Sequence, residues 1–144
     1  MMTEEFTKKE IWTKHGDYFL VEVVHWTSPD YDYITYEKIG IKNHWNVYLK
    51  LFKKHPLFGK LDFSHDVYYN QPLIGGLDFH SGITFMEWLY DVEGNPIRCT
   101  LGSDYGHIYD NMEDIATEKD AWNVFRDADS LYNQVLTWSE NNED

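Results

Sequence analysis

Two short segments gather imidazoles and carboxylates beside glycine. One is Asp78-Phe79-His80-Ser81-Gly82-Ile83-Thr84-Phe85; the other is Leu101-Gly102-Ser103-Asp104-Tyr105-Gly106-His107-Ile108-Tyr109-Asp110. His80, Asp104, His107 and Asp110 are the candidate catalytic residues. Imidazole beside carboxylate is a general acid/base pair in which the carboxylate orients the ring. The same groups suit a borderline divalent cation such as zinc or manganese, so the four are also candidate metal ligands. The 104/107/110 spacing does not choose between these chemistries. On a helix it puts all three residues roughly on one face; on a strand His107 opposes the other two. A structural role competes with both, since Asp beside a turn commonly bonds the local backbone. Stronger signatures are absent: there is no Cys-x-x-Cys, His-Glu-x-x-His, glycine-rich phosphate loop or Gly-x-Ser-x-Gly.

The elements that must position these groups follow from hydrophobic periodicity. Ile11-Trp12-Thr13, the turn signal His15-Gly16-Asp17 and the β-branched, aromatic run from Tyr18 to Trp26 predict a hairpin. Thr27-Ser28-Pro29-Asp30 is expected to break the second strand. Residues 31–41 are expected to form a further, more exposed strand, with a turn over Gly40 to Asn43. Trp45, Val47, Leu49 and Leu51 alternate along the next strand and share one face. His55-Pro56-Leu57-Phe58-Gly59 stops it, because Pro56 pushes His55 out of the helical region. Residues 59–78 read as an irregular connection. Ile83–Tyr90 and Ile97–Leu101 then pair as a hairpin across a loop with Gly94-Asn95-Pro96. The start of its first strand lies beside the end of its second, so His80 and the Asp104–Asp110 segment should meet at one end of a sheet.

A helix closes the chain. Thr117 offers a cap, with Asp120 three positions on, and Ala121, Val124, Phe125, Ala128, Leu131, Val135 and Leu136 recur at helical spacing. The expected fold is a single α+β domain over residues 1–138, a mainly antiparallel sheet with a C-terminal amphipathic helix, followed by an acidic tail over 139–144.

Composition narrows the function classes. The 144 residues carry 12 Lys and Arg against 25 Asp and Glu, a net charge of −13. Residues 1–72 are nearly balanced at −1, whereas residues 73–144 hold 3 basic and 15 acidic side chains. Direct nucleic-acid binding by counterion release, and attachment to an anionic membrane, both need a basic surplus that is missing. The single cysteine, Cys99, precludes an intrachain disulfide and reads as a small strand residue. The charged N-terminus has no apolar signal core, and a cytoplasmic location is expected. The remaining histidines carry less. His15 sits in a turn, His25 and His44 flank strands, and His55 and His65 are the two that could reach the same end of the sheet.

Three stretches resemble a family of small, uncharacterised bacteriophage and prophage proteins. That family shows a Gly-Tyr-Val strand followed by His-Pro-Leu-Tyr-Gly, then His-Gly-Gly-Ile/Leu-Thr-aromatic, then Gly-Phe-Asp-x-Ala-His-x-Gly-Asp. Here the counterparts are Asn46-Val47-Tyr48 with His55-Pro56-Leu57-Phe58-Gly59, then His80-Ser81-Gly82-Ile83-Thr84-Phe85, then Gly102-Ser103-Asp104-Tyr105-Gly106-His107-Ile108-Tyr109-Asp110. The match spans roughly residues 45–136. It keeps His55, His80, Thr84, Asp104, His107 and Asp110 in register and departs at Ser81, Ser103 and Tyr109. The resemblance implies a phage-type accessory protein, and it adds Thr84 and His55 as candidate ligand-binding residues.

Two functions from different classes follow. The first is a His/Asp small-molecule site that binds or hydrolyses a nucleotide signal, with a divalent metal as the possible cofactor. The phosphate of such a ligand would need a cation, because the C-terminal half supplies almost no Lys or Arg. The second is an acidic inhibitor that occupies the nucleic-acid channel of a basic host protein.

Overall fold

The computed structural model describes residues 9–74, 76–107 and 110–142. Five strands form one antiparallel sheet: β1 (Lys9–Gly16), β2 (Phe19–Tyr31), β3 (Lys38–Phe52), β4 (Phe85–Tyr90) and β5 (Pro96–Asp104), in the spatial order β1-β2-β3-β5-β4. Between β3 and β4 lie a single 3-10 turn, Phe58–Lys60, and a short helix α1 (Val67–Ile74); the long helix α2 (Trp122–Asn142) follows β5. The α+β architecture expected from the sequence is therefore the observed one. No helix of the described residues is long and apolar enough to cross a membrane.

Register sorts the side chains into two faces. Val21, Leu49, Leu101 and Met86 lie in one cross-strand row, and Glu22, Tyr48, Gly102 and Phe85 lie in the next. Paired residues share a face and successive residues alternate. The first row faces the core, where the 45/47/49/51 alternation is buried as anticipated. Ala121, just ahead of α2, and Val124, Ala128, Leu131 and Val135 of α2 join that core at helical spacing. Thr117 Oγ1 accepts the Asp120 amide at 3.2 Å, but this bond shapes the turn ahead of α2, which begins at Trp122 rather than directly after the expected Thr117 cap. On the opposite face the Tyr48 ring covers Gly102 so closely that a Cβ there would lie 2.5 Å from it. Glycine at 102 thus lets β3 and β5 pair beneath an aromatic ring.

The sequence reading fails along the middle of the chain. β2 does not break at Thr27–Asp30; Thr27 pairs with Asn43, Ser28 with Lys42 and Pro29 with Ile41, and only a bulge at Asp30/Tyr31 disturbs the ladder. Pro29 is tolerated because β2 has passed the last described β1 pair, Lys9 with Trp26, and runs there as an edge. The expected strand over 31–41 is divided. Asp32 to Glu37 form the turn, organised by Asp32 Oδ1 accepting the Ile34 and Thr35 amides at 2.8 and 3.0 Å. Gly40 to Asn43, expected as a turn, lie inside β3. The outcome is a long hairpin arm whose tip exposes Tyr33, Ile34 and Tyr36. Residues 59–78 are less irregular than expected. There the fully buried Asn70 accepts the Asp62 amide and donates to the Asp62 and Asp66 carbonyls, which holds α1 together despite Pro72. The α2 backbone continues to Asn142, into the stretch expected as a tail.

Candidate functional site

The hairpin β4–β5 brings its two ends together as the sequence implied: Phe85 pairs with Gly102, and the Thr84 amide donates to the Gly102 carbonyl at 2.9 Å. Just before β4, Phe79 is buried and the chain reverses through Ser81 at φ +54° and Gly82 at φ +88°, with the Gly82 amide on the Phe79 carbonyl. A left-handed pair of this kind suits glycine and costs a serine some strain. This turn delivers His80 to the end of the sheet.

The opposing segment is stitched to β3. The Tyr105 amide donates to the Trp45 carbonyl at 3.0 Å, and the Trp45 indole donates to the Ile115 carbonyl at 2.8 Å. Asn43 donates twice to the Glu113 carbonyl, from its amide at 2.9 Å and its side-chain Nδ2 at 2.8 Å. Asn43 Oδ1 in turn meets Nε2 of the buried His25 at 2.8 Å, and the other nitrogen of that ring meets Glu10 Oε1 at 3.0 Å. The loop that leaves β5 is therefore anchored by buried polar groups on β3, and the orientation of Asn43 follows from its partners.

Within this frame His80, His107 and Asp110 converge. His80 Nε2 lies 2.6 Å from Asp110 Oδ1, and His107 Nδ1 lies 3.1 Å from Asp110 Oδ2. The His107 amide also donates to Asp110 Oδ2 at 2.8 Å. The Asp110 side chain is 11% exposed, whereas those of His80 and His107 are 26% and 37% exposed. Burial alone would raise the Asp110 pKa. The hydrogen bonds from the His107 amide and from the two rings outweigh it, and they hold the carboxyl below its ordinary range. His80 stacks parallel on Tyr105, with centroids 4.1 Å apart. The Tyr105 hydroxyl donates to Asp127 Oδ2 of α2 at 2.6 Å, so the platform under His80 is fixed from below. Burial and that acceptor push the Tyr105 phenol pKa up, which keeps it neutral.

Two cavities adjoin the cluster. One, of about 360 Å³, is bounded by His107, Asn111, Glu113 and Asp114; the other, of about 390 Å³, is bounded by Trp26, His44 and Asp104. They share Tyr105, Gly106 and Glu113 as a common wall. His80, His107 and Asp110 could hold a metal ion, since one donor atom of each lies within 4.8 Å of the others.

The remaining candidates are placed differently. Asp104 is at the margin: its Oδ1 accepts the Gly106 amide at 2.9 Å and stands 3.7 Å from His107 Nδ1. Thr84 is exposed at the entry to β4, tied by its backbone to Gly102. His55 is not at this end. It packs between Phe19 and Trp138, and Phe19 pairs with Leu51, five residues along β3 from Asn46. At a rise of about 3.4 Å per residue that is roughly 17 Å away. His65 stacks on Tyr69 in the 59–78 connection. Cys99 is buried in β5 with its thiol pushed up to about 12 by burial, so it is no nucleophile. Sequence reasoning missed Asn43, Trp45, Tyr105 and Asp127 as the groups that hold the site. The one available signal was the polar interruption Asn43-His44 in front of an otherwise apolar alternation.

No family model, no curated protein and no solved structure matches this chain.

Proposed function

We propose that the His80–Asp110–His107 end of the sheet is a small-molecule site, and that the protein is a phage-type accessory protein whose ligand is a nucleotide signal. One observation carries the reading. Two histidines from separate segments turn their nitrogens onto one largely buried carboxylate, and one of them, His107, lines a cavity. Asp110 orients both rings, and a ring so held moves a proton to or from a bound ligand. The adjoining cavity supports a nucleotide-sized ligand, with the Trp26 ring and the Asn46 amide available to a base. Charge sets a condition: Asp104, Glu113 and Asp114 bound the cavities, so a phosphate must enter with its charge balanced.

A thermal-shift panel of mono-, di- and cyclic nucleotides, run with and without divalent ions, tests this. At least one nucleotide is expected to raise the melting temperature of the wild type but not of His107→Ala. A panel in which none does so under either condition contradicts the reading. The charge split favours a second reading, an acidic inhibitor of a basic host protein. It predicts salt-sensitive binding to that protein that survives His80→Ala and His107→Ala.

A further inference from the structure

We propose that His80, His107 and Asp110 form a mononuclear centre for a divalent transition metal of the zinc class, with three protein ligands and the remaining coordination open. The proposal rests on reading this end of the sheet as a site, and it supplies the cation which that reading requires.

The donors are His80 Nε2, His107 Nδ1 and a carboxylate oxygen of Asp110, mutually within 4.8 Å. Bonds of about 2.0–2.2 Å in tetrahedral geometry separate neighbouring donors by about 3.3 Å. His80 meets Asp110 Oδ1 at 2.6 Å and His107 meets Oδ2 at 3.1 Å, so the two nitrogen–oxygen separations need to open by about 0.7 and 0.2 Å to reach that spacing. The two imidazoles do not lie side by side; their planes meet at 64° with centroids 5.5 Å apart, so they approach a common point from different directions. Coordination uses the lone pairs of His80 Nε2 and His107 Nδ1. Each ring then keeps its proton on its other nitrogen, and the ring hydrogen bonds to Asp110 are given up to the metal.

Donor chemistry selects the ion. Two imidazoles and one carboxylate suit zinc and its borderline neighbours, whereas calcium asks for six or more oxygens and magnesium for oxygen and water. Three ligands leave an open position, the arrangement of sites that bind substrate or water on the metal. The groups are also held in advance. Tyr105, fixed by Asp127, lies flat against His80, and the His107 amide holds Asp110 Oδ2. Such supporting contacts orient metal ligands in known centres. Asp104 is a positioning residue, since its Oδ1 is taken by the Gly106 amide. With Glu113 and Asp114 it adds negative field around the cavity, which favours a cation and leaves a phosphate dependent on it.

Calorimetric titration of the metal-stripped full chain with zinc chloride, paired with the visible spectrum of the cobalt(II) form, tests the centre. One zinc per chain is expected, with cobalt bands of a four- or five-coordinate site and no competition from magnesium or calcium. His80→Ala and His107→Ala should each weaken zinc binding by about 100-fold, and Asp110→Asn by at least about tenfold. Circular dichroism checks that each variant is folded; His80→Asn or His107→Asn replaces the alanine variant at that position if it is not. Absence of saturable zinc binding overturns the proposal. So does zinc binding that folded His80, His107 and Asp110 variants retain. Zinc bound without any nucleotide response upholds the centre while contradicting the nucleotide reading, and a nucleotide response without zinc binding does the reverse.

Discussion

His80 and His55 stand at opposite ends of one sheet and show how far neighbours decide what an imidazole does. His55 is 2% exposed, with Phe19 edge-on and Trp138 stacked, and its Nδ1 accepts the Leu57 amide at 3.1 Å. Burial pushes its pKa down to about 4, so the ring stays neutral and acts as a flat core side chain. His80 also rests on an aromatic ring, but its Nε2 faces a carboxylate and its side chain is 26% exposed. Aromatic contact is common to both. The difference lies in the carboxylate and the greater exposure, which leave His55 a core side chain and suit His80 to the proposed site.

Substitutions at the two ends should therefore separate stability from binding. His55→Ala removes a ring packed against two aromatics. It is expected to cost about 2–4 kcal/mol in chemical denaturation and to leave zinc affinity unchanged. If it proves mild, His55 is not a core side chain and the contrast fails.

The pH dependence of stability sharpens the same point. The unfolded chain protonates His55 near 6.5, while the folded chain resists until about 4. The unfolded state binds the extra proton in this window. The contribution of His55 is thus complete above 6.5 and declines as pH falls toward 4, by roughly 3 kcal/mol. His55→Gln, measured by urea unfolding across pH 4–7, should flatten most of this slope. Asp110 acts in the same direction at lower pH: its carboxyl is held below 3.8 in the fold, so its contribution is lost only as pH falls below the His55 window.

Asn43→Ala sits between the extremes. It strips partners from the buried His25 and from the Glu113 carbonyl, so it should cost about 1–3 kcal/mol. It should also weaken zinc binding without touching the cluster, because the loop carrying His107 and Asp110 loses one of its side-chain ties to β3. The smallest stability effect is expected for His80→Ala, about 1 kcal/mol or less by denaturation, with the largest loss in zinc affinity.

Much of this contrast was written in local sequence pattern. The alternation from Trp45 to Leu51, the apolar helical spacing from Val124 to Val135 and the Gly94-Asn95-Pro96 loop each specify their element within a few residues. The hairpin they define is enough to bring His80 near Asp104 and His107. What was illegible depends on contacts distant in sequence. Thr27–Asp30 carries breaker residues, yet pairing with Ile41–Asn43 keeps it extended. α1 contains a proline and is secured by Asn70 bonds to Asp62 and Asp66 rather than by an apolar stripe. His55 lies in the local stretch His55-Pro56-Leu57-Phe58-Gly59, but its partner Trp138 is on α2, and no spacing announces that.

The central claim is that nitrogens of His80 and His107, and not of His55, meet a ligand. Nitrogen-15 spectra of the imidazoles before and after one equivalent of zinc test it most directly. The account predicts that the His80 Nε2 and His107 Nδ1 resonances move to metal-coordinated positions while both His55 nitrogens stay unchanged. Unmoved His80 and His107 resonances, or movement shared by His55, would contradict it.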